Sequence, residues 1–562
     1  MPQTHPIYPL SSDIVDTIAS LWPDAATYIG IHEHDDRWPD LSPDGAAESL
    51  ATLGAWRRRV ASLPPADDHW SALAVAVNLD TLDEELQPFE HGDYLADLNS
   101  IASPLQSLRE TFDQMPTATA TDWENVCARL EGLQPALAGY RARLDFGIES
   151  ERVVAIRQVE AAARQATTHA SAGSALEQLD TAFHGSGVDN PILAVRLDRA
   201  LTSGKAAFGE FAGYLRDTYA PTARQEDPVG EERYVRAARR FLGTGIDPPH
   251  MYQWAWEEVA ELRDHMRHLA TDIAGEASVP AALDVLTSDP DRAAPSAAAF
   301  QTQMADLLAA ALDQLAGTHF DVPDPIRSVE VRLAPPGSPI GASYVSPSED
   351  FARPGTVEWA LDGEGPVPLF DQVTTAYHEG FPGHHLQSGI QISLSDRLSR
   401  LHRVWTWLPG IGEGWALYAE RLMDELGYLD KVDYRFGLAA AQMLRACRVV
   451  LDIGIHLGYR IPEGQPFHPG ESWTFETAVE FLMTYAVLGA TYASDEVVRY
   501  MGWPGQAISY RFGERFLIES RETMRRSQGA DFELRAFHAR ILEIGPVGID
   551  LARTTLLAAD PA

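Results

Sequence analysis

The chain is short of cysteine, of lysine, of positive charge and of long apolar runs. Only Cys127 and Cys447 occur in 562 residues, and two thiols so far apart make neither a disulfide framework nor a four-thiolate metal site. The 44 basic residues are outnumbered by 81 acidic ones, for a formal net charge of -37, and the lysines are Lys205 and Lys431 alone. Such a field repels phosphate backbones and anionic membrane surfaces, so neither nucleic acid nor membrane is the expected partner. No uncharged apolar run reaches the ~20 residues that span a bilayer. The opening MPQTHPIYPLSSDIV lacks the basic region and apolar core of a signal peptide. A soluble, cytoplasmic protein is the expectation.

What is present is ordinary globular composition, 45% hydrophobic and 22% charged, in a chain long enough for several packing units. AAESLATLGAWRRRVASL and DWENVCARLEGLQPALAGYRARL repeat apolar residues at three- and four-residue steps, as a helix with one buried face requires. HMYQWAWEEVAELRDHMRHLATDIAGE does the same, with Pro248 and Pro249 before it and Gly275 near its end. Near residue 326 the period changes. RSVEVRLAP alternates like a strand, GASYVSPS follows a Pro/Gly turn and GTVEWAL completes a small sheet at about 326–362. The expected fold class is therefore mainly α: a large helical protein with a deep cleft and a small sheet beside the chemistry. Residues 1–240 form an N-terminal helical region, and 241–562 carry the sheet and the candidate site.

The richest chemistry lies in TAYHEGFPGHHLQ. In LFDQVTTAYHEG, Leu369, Val373, Ala376 and Tyr377 share a helical face and leave His378 near the opposite one. A zinc-binding helix usually carries histidines four apart, with a glutamate after the first as general base. Four after His378 stands Pro382, which cannot bind a metal. His384 and His385 come six and seven residues on, about 9–10 Å along an unbroken helix, too far to share an ion through ~2 Å bonds. The helix must break, and GFPG supplies two glycines and a proline to break it. Either histidine then becomes a possible second ligand; His384 is preferred, and His385 would contact substrate or a supporting group. Downstream, PGIGEGWALYAERLMDELG places Glu413 just after a helix start, where a carboxylate is favourable even without a metal.

The text GEGWALYAE resembles the glutamate-ligand segment of the aminopeptidase N group of zinc peptidases, where it follows a His-Glu-x-x-His helix. More broadly, HEGFPGHHLQ, GEGWALYAE and EVVRYMGWPGQAISYRFG, in that order, resemble the bacterial family catalogued as domain of unknown function 885, regarded as zinc-metallopeptidase-like. The resemblance implies a gluzincin-type site with zinc on His378, His384 and Glu413 and Glu379 as general base. It names no substrate.

Further groups have two readings each. Arg448, Asp452 and His456 form a polar stripe at steps of four, either an internal salt-bridge network or a route that brings His456 to the tetrahedral intermediate. Tyr485, Tyr500 and Tyr510 are core aromatics or oxyanion donors. Arg499 and Arg511 are ion-pair partners or a clamp for a substrate carboxylate. Glu420, seven after Glu413, is a solvated residue or a group that orients a zinc-bound histidine. GASYVSPS is a paired strand or an open edge for an extended peptide. The function expected is hydrolysis of a peptide or related amide bond in short substrates. A mononuclear iron oxygenase also uses two histidines and a carboxylate, but has no need of Glu379. A non-catalytic helical protein with a structural metal is the remaining alternative.

Overall fold

A computed structural model describes residues 4–334, 341–361, 363 and 365–557. Helices form where an apolar stripe coincides with a start signal. Ala120–Glu149 opens on a capping box between Thr119 and Asp122, which satisfies amides that no turn precedes. Pro191–Tyr214 has Asn190 accepting from the Leu193 amide and proline in its first turn. Pro248–Ala274 starts behind Asp247, which caps His250, and ends at Gly275 with φ +78°, a left-handed stop that glycine adopts at little cost. Among the described residues no helix is long and apolar enough to cross a membrane.

The chain divides into two compact units, Met1–Asp227 with Ser399–Leu401 and Met501–Trp503, and Pro228–Leu398 with His402–Tyr500 and Pro504–Ala562. In the first unit, Leu130, Leu133, Leu137, Tyr140 and Leu144 of one long helix pack on Leu197, Ala200, Leu201, Phe208 and Phe211 of another. Burying each such side chain contributes about 1.5–3 kcal/mol before entropy is counted. Cys127 lies in this core, and Cys447 is buried in the second unit. The helix Glu231–Leu242 belongs to the second unit, where the Tyr234 hydroxyl donates to Asp452 at 2.9 Å.

The sheet falls where alternation predicted it, as strands Glu330–Leu333, Gly341–Val345 and Thr356–Ala360. The last strand is central, parallel to the first (Val331 opposite Val357) and antiparallel to the second (Tyr344 opposite Val357). The Pro/Gly turn at 335–340 and Asp362, which the expected sheet included, lie outside the described residues. Buried Trp359 of the central strand packs edge-on against Phe300 and donates to Gln372 at 3.1 Å. That bond docks the sheet on the helix Gln372–Glu379.

Two further helices set the site. Pro409–Glu425 and Ser509–Gln528 cross where Gly410 and Gly414 meet Gly513. A Cβ on Gly513 would lie 1.8 Å from the Gly410 carbonyl oxygen, so only glycine lets these backbones approach so closely.

Candidate metal centre

The break in the histidine helix is real. Gln372–Glu379 stops directly after the His-Glu pair and His384–Ser393 starts at the second histidine. The Phe381–Pro382 peptide between them is cis. Gly383 approaches the preceding turn so closely that a Cβ there would sit 1.9 Å from the His378 carbonyl oxygen; its amide donates to Tyr377 O at 3.0 Å. The His385 amide donates to Gly380 O at 3.1 Å, restarting the helix. The Trp415 indole donates to the Pro382 carbonyl at 2.9 Å, tying the loop to the helix that carries Glu413.

The result is a convergence. His378 Nε2 and His384 Nε2 lie 3.4 and 3.5 Å from the same Glu413 oxygen, Oε2. One donor atom from each of the three residues falls within 4.8 Å of the others. Tetrahedral ligands at about 2.0–2.1 Å from a zinc ion stand about 3.3–3.4 Å apart, so the donor set and the two histidine–Glu413 spacings fit such an ion. His378 and His384 are buried and Glu413 is 16% exposed.

The groups behind the donors fix their roles. His378 Nδ1 donates to Glu420 Oε1 at 2.7 Å, which leaves Nε2 as the atom turned to Glu413. The other Glu420 oxygen accepts from Thr374 Oγ1 at 2.5 Å, and Arg445 Nη2 stands 3.8 Å from Oε1. Burial alone would depress His378, but hydrogen bonds with Glu413 and Glu420 raise it to about 10. Burial would raise Glu413, yet the two imidazoles hold it well below the usual carboxylate range. The proton kept on His378 is the one a cation would displace. Glu379 is raised, chiefly by burial and further by Glu413, against the pull of His378, His384 and Arg445.

Between the two later histidines the geometry distinguishes clearly. His385 is held at both ring nitrogens, by Ile326 O at 2.9 Å and the Tyr344 hydroxyl at 3.1 Å, and burial pulls it down to about 4. Its Tyr344 partner lies over His384, with ring centroids 6.5 Å apart and planes 25° from parallel.

The other candidates lie elsewhere. His456 is a correction: it ends the helix Val432–His456, with Nε2 3.0 Å from Tyr500 O and its ring against Tyr234. Eleven residues separate it from Arg445, about 16 Å of helix, so it does not reach the triad. Asp452 is likewise bound into the core by Tyr234 and by the Gly505 amide at 3.0 Å, and burial pushes it up to about 8. The Tyr500 hydroxyl donates a hydrogen bond to Glu496 and accepts one from Arg448 Nε at 3.0 Å, so it is not an oxyanion donor as placed. Tyr485 sits in an aromatic core with Phe467 and Phe481. Arg511 is also a correction: Gln442, Glu514 and Glu258 take up both of its terminal nitrogens, which a bidentate substrate clamp would need. Arg499 and Tyr510 meet each other at 3.4 Å, and Arg448 stands over the Tyr510 ring at 4.8 Å.

Four residues near the site had no place in the sequence reading: Thr374, Trp415, Tyr344 and Arg445. Thr374 was legible, four residues before His378 on the same face. Arg445 extends the Arg448 stripe by one turn. Two surface cavities, one lined by Gly317, Asp321 and Arg327 and one by Ala311, Tyr377 and Tyr428, include none of the triad residues.

The fold and site together define a mainly helical protein with a buried His-His-Glu cluster built on a broken helix and the helix that follows. The chain belongs to the family described as "Bacterial protein of unknown function (DUF885)", whose pattern matches residues 23–556. Its fold is similar to that of a "putative lipoprotein" from Colwellia psychrerythraea, at 21% identity and TM-score 0.83 over 98% of both chains. A "putative lipoprotein of unknown function" from Shewanella oneidensis is similar at 18% identity and TM-score 0.73, over 98% of this chain and 99% of that one. No curated protein matches the chain.

Proposed function

We propose that the protein is a zinc-dependent hydrolase of peptide or related amide bonds, acting on short substrates through a gluzincin-like centre. The observation that carries the reading is the approach of two imidazole nitrogens, at 3.4 and 3.5 Å, to a single Glu413 oxygen, with Glu379 directly after the first histidine. His378, His384 and Glu413 would hold the ion, and Glu420 would keep His378 in the tautomer that presents Nε2. A zinc ion held there would supply Lewis acidity to a carbonyl oxygen and a lowered pKa to a water molecule. Glu379 would accept a proton from the attacking water and return it to the leaving nitrogen, breaking the C–N bond with no change in net protonation. A substrate cleft over the triad and a cytoplasmic setting belong to this proposal; cell fractionation checks the second.

The test is a peptide-library digest comparing wild type with Glu379→Gln, with zinc measured in both. Cleavage by wild type alone, with zinc retained in the variant, supports the reading. Equal turnover by both would remove Glu379 from the mechanism.

A further inference from the structure

Beside the triad lies a group of cations that the hydrolytic step does not use. Arg445, Arg448 and Asp452 follow one another along the helix Val432–His456, and Tyr492, Glu496 and Arg499 follow one another along Ala490–Gly502. The two stripes face each other. Arg448 pairs with Glu496 at 2.9 Å, Arg499 pairs with the other Glu496 oxygen at 3.1 Å, and Tyr510 lies under Arg448. Two guanidiniums, those of Arg448 and Arg499, thus share the Glu496 carboxylate. Arg445 stands 3.8 Å from Glu420, on the triad side.

Three arginines thus lie close together in a chain whose net charge is -37. The buried Nε atoms of Arg445 and Arg499 have no hydrogen-bond partner among the described residues, while the terminal nitrogens of Arg499 meet Glu496, Gln506 and Tyr510. Desolvated guanidinium donors are costly unless matched, and a planar carboxylate is the group they match best. Tyr492, one helical turn before Glu496, is 48% exposed. Arg445 stands 3.8 Å from Glu420, which is hydrogen-bonded to His378, so a ligand seated on it would lie beside the triad.

We propose that Arg445, Arg499 and Tyr492, backed by Arg448, form a subsite for a substrate carboxylate adjacent to the His378–His384–Glu413 centre. The ligand is a peptide carboxylate, either the C-terminal one or an acidic side chain close to the scissile bond. The subsite rests on the peptidase reading and makes it more specific: cleavage is confined to bonds a short distance from a carboxylate.

The test is direct binding to zinc-loaded Glu379→Gln, which removes turnover from the measurement. Three probes are compared by calorimetry: acetyl-tetraalanine as the free acid, the same peptide as its amide, and acetyl-trialanyl-glutamic acid amide. At least one carboxylate probe should bind about tenfold tighter than the uncharged amide, and which one does so identifies the source. Arg445→Gln and, independently, Arg499→Gln should reduce that preference to below threefold. Tyr492→Phe, an exposed and conservative change, should weaken it about twofold while leaving zinc content and Tm unchanged. Binding of all three probes within twofold of one another, no binding of any of them, or a preference that survives both arginine variants overturns the subsite. The peptidase reading fails separately, when wild type shows no Glu379-dependent hydrolysis of any peptide. Hydrolysis without preference for acids sinks the subsite alone.

Discussion

Gly383 is the position at which a single methyl group tests the whole construction. A Cβ there would lie 1.9 Å from the His378 carbonyl oxygen and 2.4 Å from that of Tyr377, whereas ordinary contact begins near 3.4 Å. Both neighbours are backbone, so the loop itself must move by about 1.5 Å, the gap between 1.9 and 3.4 Å. Metal bonds tolerate about 0.2 Å. His384 directly follows the glycine, so its imidazole is carried off with the shift. Overpacking of this kind costs about 1–3 kcal/mol, a few degrees in Tm for a protein of this size. Gly383→Ala should therefore remain folded, with zinc affinity lower by at least about 100-fold, roughly 2.7 kcal/mol. Competition with a chromophoric chelator measures the affinity and a thermal melt measures the fold. Gly213→Ala is the control: it lies within the helix Pro191–Tyr214 with nothing near its Cβ, and should leave zinc binding untouched while stabilising by about 0.5–1 kcal/mol. Wild-type zinc affinity in Gly383→Ala would refute the claim that this close turn positions the second histidine.

Three further outcomes follow from the same contacts. Glu420→Gln keeps a hydrogen-bonding group near His378 but removes the charge that fixes its tautomer, and should lower zinc affinity about 10–100-fold with little change in Tm, by the same chelator competition. Because His378 is raised to about 10, zinc must expel its proton: apparent affinity should climb about tenfold per pH unit up to about pH 10, with about one proton released at pH 7.5. Calorimetry in two buffers of different ionisation enthalpy counts that proton. The sign for the metal-free fold is opposite: the raised pKa stabilises it fully below about pH 6.5, and that contribution fades as pH rises towards 10. Arg511→Met leaves Glu514, buried beside it, without one of its cations, and should cost about 3 kcal/mol in denaturant unfolding; a substrate clamp would instead raise KM and leave stability alone.

Much of this site was legible from spacing because backbone geometry constrains it tightly. His378 and His384 stand too far apart on an intact helix to share an ion, so the sequence itself demanded the break that the structure shows at Gly380–Gly383. Glu413 and Glu420 were readable for a similar reason, since seven residues on a helix return nearly to the same face. The strands were readable because Val331, Tyr344 and Val357 sit in runs of period two, whereas their order was not, since pairing across 335–355 leaves no local mark. The polar stripe on Val432–His456 was seen but its direction was misjudged: His456 lies about 16 Å of helix from the end that matters, and Arg445, one turn before Arg448, is the member near the triad. Arg511 misled because an arginine beside a Pro-Gly loop has the same text whether its partner is a ligand or Glu258, Gln442 and Glu514. Those partners come from elsewhere in the chain, and no periodicity announces them.

The central claim is that one divalent ion is shared by His378, His384 and Glu413. X-ray absorption at the zinc edge on freshly purified full-length protein tests it most directly, with His384→Ala and His385→Ala measured alongside. One zinc per chain is predicted, with two imidazole nitrogens and a carboxylate oxygen at about 2.0–2.1 Å, lost in His384→Ala and kept in His385→Ala. A chain that takes up no metal, or one whose ion keeps two imidazoles when His384 is replaced, would contradict it.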